Sequence, residues 1–246
     1  MIKYYKNQLK IHKDLFKLYK SYSFFESIYR ILAIIISPVL LKFNPNFISL
    51  LSLSFGVSAF YLFMKNYLVF NIAILLFIFS FIFDFSDGLI ARYQNTTSFF
   101  GRFIDGLFDI FTIGLLHILF IFVIIEQNNN LLYKIFYFVT ILFLPIQHLI
   151  LDRFSALARW CNEIGQENKI KPYFRNIHFR NATFIFLDLQ HLCIWFLLIS
   201  GFYDYYIIIK IYLIISFFAS LFNIVLYIHL AKKNFSNHSN IEDNLN

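Results

Sequence analysis

Four aspartates, two glycines, an alanine and an arginine stand at fixed spacing in a strongly hydrophobic part of the chain. Their pattern is Asp84-x2-Asp87-Gly88-x2-Ala91-Arg92-x8-Gly101-x3-Asp105-x3-Asp109. Ionisable side chains at membrane depth are costly and usually mark a functional site. Glycine and alanine alone would fit ordinary packing between membrane helices, but four carboxylates have no such explanation. The segment is therefore a candidate site.

Helical spacing places the first part of this pattern on one stripe. An α-helix turns about 100° per residue, so that Asp87, Gly88 and Ala91 fall within about 60° of Asp84. On the same basis Arg92 falls about 80° away from Asp84. The five residues therefore share one side of a helix.

The second part of the pattern forms a stripe of its own. Gly101, Asp105 and Asp109 follow one another at i+4 on the next helix. The link between the two helices, residues 93–97, is short and polar, which favours an antiparallel pair of neighbours. We therefore expect the two aspartate stripes to face each other near one membrane surface.

The charges of this site are not balanced within the pattern. Four carboxylates and one arginine leave three negative charges in a partly desolvated cleft, and buried charges must be paired or bind a metal. Protonation of some carboxylates is one solution, and binding of divalent cations is the other. Oxygen ligands suit Mg²⁺ or Mn²⁺ rather than zinc. Two such ions close together form the clamp used for in-line displacement at phosphorus.

The non-acidic residues of the pattern suit a phosphate ligand. Gly88 and Gly101 lack side chains and would let a ligand approach the helix backbone closely. Arg92 offers a planar fork of donors that matches phosphate oxygens. A cation-coupled transporter with an acidic site would explain the aspartates, but not glycine and arginine residues at fixed positions beside them.

The same residues resemble the signature of the CDP-alcohol phosphotransferase family of integral membrane enzymes. That signature is DxxDGxxAR, then seven or eight residues, then GxxxDxxxD. The stretch DFSDGLIARYQNTTSFFGRFIDGLFD matches it at every fixed position. A second segment, Pro45-Asn46-Phe47-Ile48-Ser49, is similar to the PN-x-I-[ST] start of the family's first spanning helix.

The resemblance implies a reaction in which an acceptor hydroxyl attacks the β-phosphorus of a CDP-alcohol and CMP is released. It implies two divalent cations, Mg²⁺ or Mn²⁺, held by Asp84, Asp87, Asp105 and Asp109. Asp109 would share the second cation and act as the general base on the acceptor. The residues expected to hold the CDP portion are Asp84, Asp87, Gly88, Ala91, Arg92 and Gly101. A homodimer is a further implication of the resemblance.

Composition predicts an all-α integral membrane protein. The chain is 59% hydrophobic and 22% aromatic but only 14% charged, far from the average of soluble domains. Apolar stretches of about 20 residues predict membrane-spanning helices. Six such transmembrane helices are expected, at residues 47–64, 69–90, 104–125, 131–151, 183–198 and 206–228.

Three regions follow from this pattern. Residues 1–43 form a basic N-terminal segment, which is expected to begin with an amphipathic juxtamembrane helix at the lipid surface. A more hydrophobic helix should follow it, although Pro38 argues against a clean membrane span there. Residues 44–231 form the six-helix CDP-alcohol phosphotransferase domain, and residues 232–246 form a polar C-terminal tail.

Lysine and arginine predict the orientation in the membrane. With six spans, all of the 21 Lys and Arg residues except Lys65, Lys134 and Lys210 fall on the side that holds both termini. The basic side is cytoplasmic, and the aspartate site opens on it, which suits a multi-pass protein of a bacterial cytoplasmic membrane. Because positive charge follows membrane topology so closely, we expect membrane lipid and not nucleic acid as a partner.

The identity of the substrates stays open at the level of sequence. The family divides between CDP-diacylglycerol donors with small polar acceptors, and CDP-linked polar alcohols with a lipid or glycan acceptor. A chain of 246 residues with six spans is closer in size to the first group, so CDP-diacylglycerol is the favoured donor and phospholipid synthesis the favoured role. An inositol-type or other polyol acceptor, or a specialised polar head group, remain as alternatives.

A second group of polar residues is a candidate acceptor pocket. It lies at the predicted cytoplasmic end of the fourth span and comprises His148, Asp152, Arg153 and Arg159. Either Arg153 or Arg159 could meet a phosphate. The alternative is that these residues only anchor the helix at the basic membrane surface.

Overall fold

The computed structural model describes residues 2–18, 24–65, 69–127, 130–163, 189–199 and 205–235. Within these ranges the chain is helical and contains no strand, as expected for an all-α membrane protein. The helices, numbered in chain order, are α1 Ile2–Lys17, α2 Phe24–Leu40, α3 Pro45–Lys65, α4 Phe70–Tyr93, α5 Phe99–Gln127, α6 Leu131–Glu163, α7 Leu189–Ile199 and α8 Tyr205–Phe235.

Five of these helices are long and apolar enough to cross a membrane, namely α3, α4, α5, α6 and α8. They coincide with five of the six predicted spans. The remaining predicted span, residues 183–198, lies partly outside the described residues, and its described part is the short apolar helix α7. A six-span count therefore stays a prediction.

Helices α6 and α8 pack against each other through aromatic rings. Phe143 packs against Phe217 with ring centroids 5.4 Å apart, and Phe154 packs against Tyr227 at 5.3 Å. Positions therefore advance together along both helices, which means that α6 and α8 run in the same direction.

The N-terminal region contains the two helices expected there. The first, α1, is followed by α2, which continues through Pro38 near its end. Leu15 of α1 is fully buried, so this helix is packed against the protein on one side. Its predicted position at the lipid surface stays a prediction.

The described helices form two compact units. The first contains α1 to α5 and α7, and the second contains α6 and most of α8. In the first unit Tyr29 of α2 is fully buried. Its ring packs against Phe81 of α4 at 5.7 Å, and against His191 and Trp195 of α7 at 4.8 and 5.7 Å. This aromatic cluster attaches α2 and α7 to α4.

At the centre of the first unit, α3, α4 and α5 approach one another through small side chains. The Ser52 hydroxyl donates to the carbonyl of Ser80 at 2.8 Å, and the Ser80 hydroxyl donates to the carbonyl of Ser52 at 2.7 Å. Gly56 of α3 faces Thr112 of α5. Small residues of this kind let helix backbones pack closely in a membrane, and they fix which residues of α3 and α4 stand opposite each other.

We expect Gly56→Ala to lower the thermal stability of the protein. A Cβ at this position would lie 3.1 Å from Thr112 Cγ2, so α5 would have to shift, and overpacking of this kind costs about 1–3 kcal/mol. Thermal unfolding of the purified protein in detergent measures the effect. Gly114→Ala is the matched control, because no described atom lies within 4 Å of its Cβ position. Equal losses in both variants would contradict the packing role of Gly56.

Candidate functional site

The turn between α4 and α5 brings the two halves of the aspartate pattern together. Asn95 has a positive φ of 56°, which closes the end of α4. The amide of Thr96 donates to the carbonyl of Ala91 at 2.9 Å, and the amide of Asn95 donates to that of Arg92 at 3.4 Å. These two bonds form a Schellman motif, in which asparagine tolerates the left-handed conformation.

The start of α5 is also capped. The amide of Gly101 donates to the Ser98 hydroxyl at 2.9 Å, so Ser98 serves as the N-cap that satisfies one otherwise unpaired donor. The turn is fastened to the α2–α3 connection as well, because the Gln94 side-chain amide donates to the carbonyl of Leu41 at 2.7 Å. Because the turn is short and is held by these hydrogen bonds, it directs α5 back along α4.

Three aspartates from the two helices converge at this end of the unit. Asp84, Asp87 and Asp105 each offer a carboxylate oxygen, and these oxygens all lie within 4.8 Å of one another. Asp109, one turn further along α5, is within hydrogen-bonding reach of Asp84. The two stripes therefore face each other, as the helical spacing predicted.

The carboxylates are poorly compensated by charges of the protein. Asp87 is only 4% exposed, and none of the four aspartates is ion-paired within 4 Å in the part of the chain that the structure describes. Arg92 is near enough to interact electrostatically with Asp87 and Asp105, but one cation cannot balance four acids. A hard divalent cation bound by oxygen ligands would balance them, so this donor set fits the Mg²⁺ or Mn²⁺ ions that the sequence predicted.

Arg92 is folded back over its own helix. A Cβ at Gly88 would lie 3.5 Å from Nη1 of Arg92 and 3.6 Å from Nη2, so the guanidinium lies beside this glycine, one turn away, at ordinary contact distance. Arg30 of α2 also interacts electrostatically with Arg92. Arg30 itself is paired with Glu26, with Nε 2.6 Å from the carboxylate, and its guanidinium lies 4.7 Å from the Phe85 ring centroid.

A cavity of about 340 Å³ opens beside the aspartates. Six of the residues predicted to form the site line it, namely Asp87, Gly88, Ala91, Arg92, Gly101 and Asp105. Asp84 and Asp109 are not part of the lining, although Asp84 belongs to the acidic cluster and Asp109 is within hydrogen-bonding reach of Asp84. The volume falls in the range of small-molecule sites.

Other residues of the lining were not among the predicted site residues. They come from the start of α3, the α4–α5 turn and the first turn of α5: Asn44, Pro45, Asn46, Ser49, Gln94, Thr96, Thr97, Ser98 and Arg102. The segment that begins with Pro45 could have been found from the sequence, because it resembles the start of the family's first spanning helix. For the turn residues the sequence showed only a short and polar segment, and such a segment indicates a connection between helices and not a binding surface.

Gly101 shows why a small residue is needed at the edge of this cavity. A Cβ there would lie 3.0 Å from the Ser98 hydroxyl oxygen and 3.4 Å from Oδ1 of Asn46. Both neighbours line the cavity, so a larger side chain would displace them or enter the space a ligand would use.

The predicted acceptor residues lie on a different helix. His148, Asp152, Arg153 and Arg159 all belong to α6 in the second unit. The side chain of Arg153 is exposed, and the side chains of the other three lie outside what the structure describes. Their role in an acceptor pocket stays a prediction.

Comparison with known protein families identifies a match over most of the chain. The model of the CDP-alcohol phosphatidyltransferase family matches residues 42–215, which is more than half of the chain. The match contains the start of α3, the whole aspartate pattern and the cavity lining. No significant match to a curated protein is found. The chain therefore belongs to the CDP-alcohol phosphatidyltransferase family, whose members are membrane transferases of substituted phosphate groups.

Proposed function

We propose that this protein transfers a substituted phosphate from CDP-diacylglycerol to the hydroxyl group of a small polar acceptor, with release of CMP, in phospholipid synthesis. The observation that carries the proposal is the meeting of three carboxylates, within 4.8 Å, beside a cavity that Arg92 and Gly88 line. The family match supports phosphate transfer from a CDP-alcohol. The choice of CDP-diacylglycerol rests on chain size and on the predicted number of spans.

Each functional group has a proposed part in the reaction. The acceptor oxygen forms a bond to the β-phosphorus of the donor, and the bond from that phosphorus to the bridging oxygen breaks, so that CMP leaves. Asp109 takes the proton of the acceptor hydroxyl. Arg92 binds phosphate oxygens of the donor. Divalent cations held by Asp84, Asp87, Asp105 and Asp109 would neutralise charge on the pyrophosphate and on CMP.

The nucleotide part of the donor is proposed to occupy the cavity. Gly88, Ala91 and Gly101 present little side chain to it, which lets the donor approach the helix backbone. Asp84 and Asp87 would contact the CDP portion through the cations. Hydroxyl and amide groups of the lining, such as those of Asn46 and Thr97, supply neutral hydrogen-bond partners for the polar nucleotide.

The acceptor is proposed to meet α6 at His148, Asp152, Arg153 and Arg159. Support comes from α8 of the same unit, where two buried polar side chains lie one to two turns before Tyr227, the residue that packs on Phe154. Ser220 and Asn223 are each 1% exposed, and their side-chain polar atoms have no hydrogen-bond partner among the described residues. A polar acceptor would satisfy groups of this kind.

The site is proposed to face the cytoplasm of a bacterial cell, where cytidine nucleotides are available. The support is the distribution of Lys and Arg residues, which follows the positive-inside rule. A homodimer, expected from the family resemblance, is part of the same proposal.

We expect the purified protein to release CMP from CDP-diacylglycerol only when Mg²⁺ or Mn²⁺ and a suitable alcohol are present. Removal of metal with EDTA should abolish release, because the acidic cluster would lose the cations that balance it. A panel of polyols and amino alcohols, measured by CMP release and product mass, identifies the acceptor. A cation-coupled transporter would release no CMP with any alcohol. Release that persists in EDTA would contradict the metal-dependent site.

We expect Asp109→Asn to abolish CMP release while binding of CDP survives. The amide cannot accept the acceptor's proton, whereas the nucleotide contacts lie nearer Arg92 and Gly88. Turnover and calorimetric binding of CDP measure the two effects separately. Asp14→Asn is a suitable control, since Asp14 pairs with Lys17 on α1 and lies outside the site. Normal turnover in Asp109→Asn would contradict the assignment of the base.

We expect Gly101→Ala to raise the KM for the CDP donor about tenfold, the effect of losing roughly 1.4 kcal/mol of binding. The added methyl group would press on Ser98 and Asn46 at the cavity edge. Steady-state kinetics at saturating acceptor measures the change. Gly106→Ala, on the same helix but with no described atom within 4 Å of its Cβ position, should keep the wild-type KM. Equal KM values for the two variants would show that the cavity edge does not bind the donor.

A further inference from the structure

Helices α3 and α4 stand in a register that brings one hydroxyl group to the acidic cluster. The reciprocal bonds between Ser52 and Ser80 link the two helices inside the unit. Ser49 lies one turn closer to the cavity than Ser52 on α3. Asp87 lies about two turns closer to the cavity than Ser80 on α4. Because the helices run antiparallel, both residues lie on the cavity side of the serine pair, and the hydroxyl of Ser49 reaches the Asp87 side chain from about one turn nearer to that pair.

Ser49 makes a direct hydrogen bond to this aspartate. Its hydroxyl donates to Oδ2 of Asp87. Ser49 is 5% exposed and Asp87 4% exposed, so water competes little for either group. Both residues line the cavity.

The hydroxyl has two possible acceptors but only one proton. The carbonyl of Pro45, one turn earlier on α3, lies 3.2 Å from the Ser49 oxygen. A hydrogen bond to an ionised carboxylate is shorter and about twice as strong as one between neutral groups. Asp87 is therefore the preferred acceptor when its carboxylate is ionised.

This bond restricts how the carboxylate can turn. The terminal torsion of an aspartate side chain is broad and weakly restrained on its own. With Oδ2 held by Ser49, the plane of the Asp87 carboxylate is fixed by a neighbouring helix. Groups that orient metal ligands in this way typically change metal affinity 10–100-fold when they are removed.

We propose that Ser49 is a positioning residue that orients the Asp87 carboxylate for a divalent cation shared with Asp84 and Asp105. The inference rests on the proposed function, because it assigns Ser49 a part in the same site. Ser49 acts through Asp87 and does not itself take part in phosphate transfer. The hydroxyl group is what the role requires, so threonine should replace serine and an apolar side chain of the same shape should not.

The test is Mn²⁺ binding by the purified full-length protein, followed by electron paramagnetic resonance in the absence of substrate. Ser49→Val is expected to bind Mn²⁺ 10–100-fold more weakly than wild type, and Ser49→Thr within about threefold of it. The two variants have nearly the same shape and differ in the hydroxyl group, so a defect caused by packing alone would affect both. Ser49→Ala provides a third variant if the larger side chains disturb folding.

Ser54→Ala is the control on the same helix. The Ser54 hydroxyl is exposed and donates to the carbonyl of Leu50 at 2.8 Å, away from the acidic cluster, so its removal should leave Mn²⁺ affinity unchanged. The Mg²⁺ concentration for half-maximal CMP release should rise in Ser49→Val in parallel with the weaker Mn²⁺ binding. Excess Mg²⁺ should restore much of the lost rate, which a folding defect would not allow.

The outcomes separate this inference from the proposed function. Mn²⁺ affinities of Ser49→Val and Ser49→Ala equal to that of wild type would overturn the role of Ser49 and leave the transferase proposal intact. Mn²⁺ binding with the expected Ser49 effects, but no CMP release from any CDP-alcohol, would overturn the transferase proposal while supporting the role of Ser49. A wild-type protein that binds no Mn²⁺ would overturn both.

Discussion

Repulsion among four carboxylates at the end of a membrane helix pair is the constraint on which this structure depends. Bringing Asp84, Asp87 and Asp105 within 4.8 Å removes them from much of their water and places like charges together. Within the sequence pattern, Arg92 is the one positive charge that can offset these negative charges. The surrounding helices must therefore hold the acids in place through contacts that do not depend on charge.

Those contacts are provided by small and hydroxylated residues deeper in the same unit. Ser52 and Ser80 exchange hydrogen bonds across α3 and α4, and Gly56 lets Thr112 of α5 approach. Such packing resists sliding of one helix along another, since both a steric fit and a hydrogen-bond register would be lost. The same packing holds α3 and α4 so that Ser49 bonds to Asp87. Packing in the apolar part of the unit thus sets the geometry of its polar end.

Much of the site could be predicted from the sequence because its chemistry is concentrated in two helices joined by a short turn. Helical periodicity was enough to place Asp84 and Asp87 on one stripe and Asp105 and Asp109 on another. The family signature added the start of α3. These predictions depend on local spacing, which a single sequence displays directly.

The rest depends on long-range pairing that local spacing does not encode. Ser49 stands 38 positions from Asp87, and nothing in a lone buried serine indicates which acceptor it will meet. The turn residues that line the cavity, such as Thr96, gain their place from the positive φ of Asn95 and from the capping bonds. The predicted fifth span extends beyond the described residues, and only its last part is described, as the short helix α7.

The bond from Gln94 to Leu41 has a consequence for how the cavity can respond to different donors. It joins the turn after α4 to the turn before α3, and both turns contribute to the rim, through Gln94 and Asn44. With the Schellman bonds at one turn and the Gln94 bond between the two turns, both sides of the described rim are held by hydrogen bonds. Under the proposed function, the donor would enter past two turns that are tied to each other, so a change at Gln94 would alter both sides of the opening.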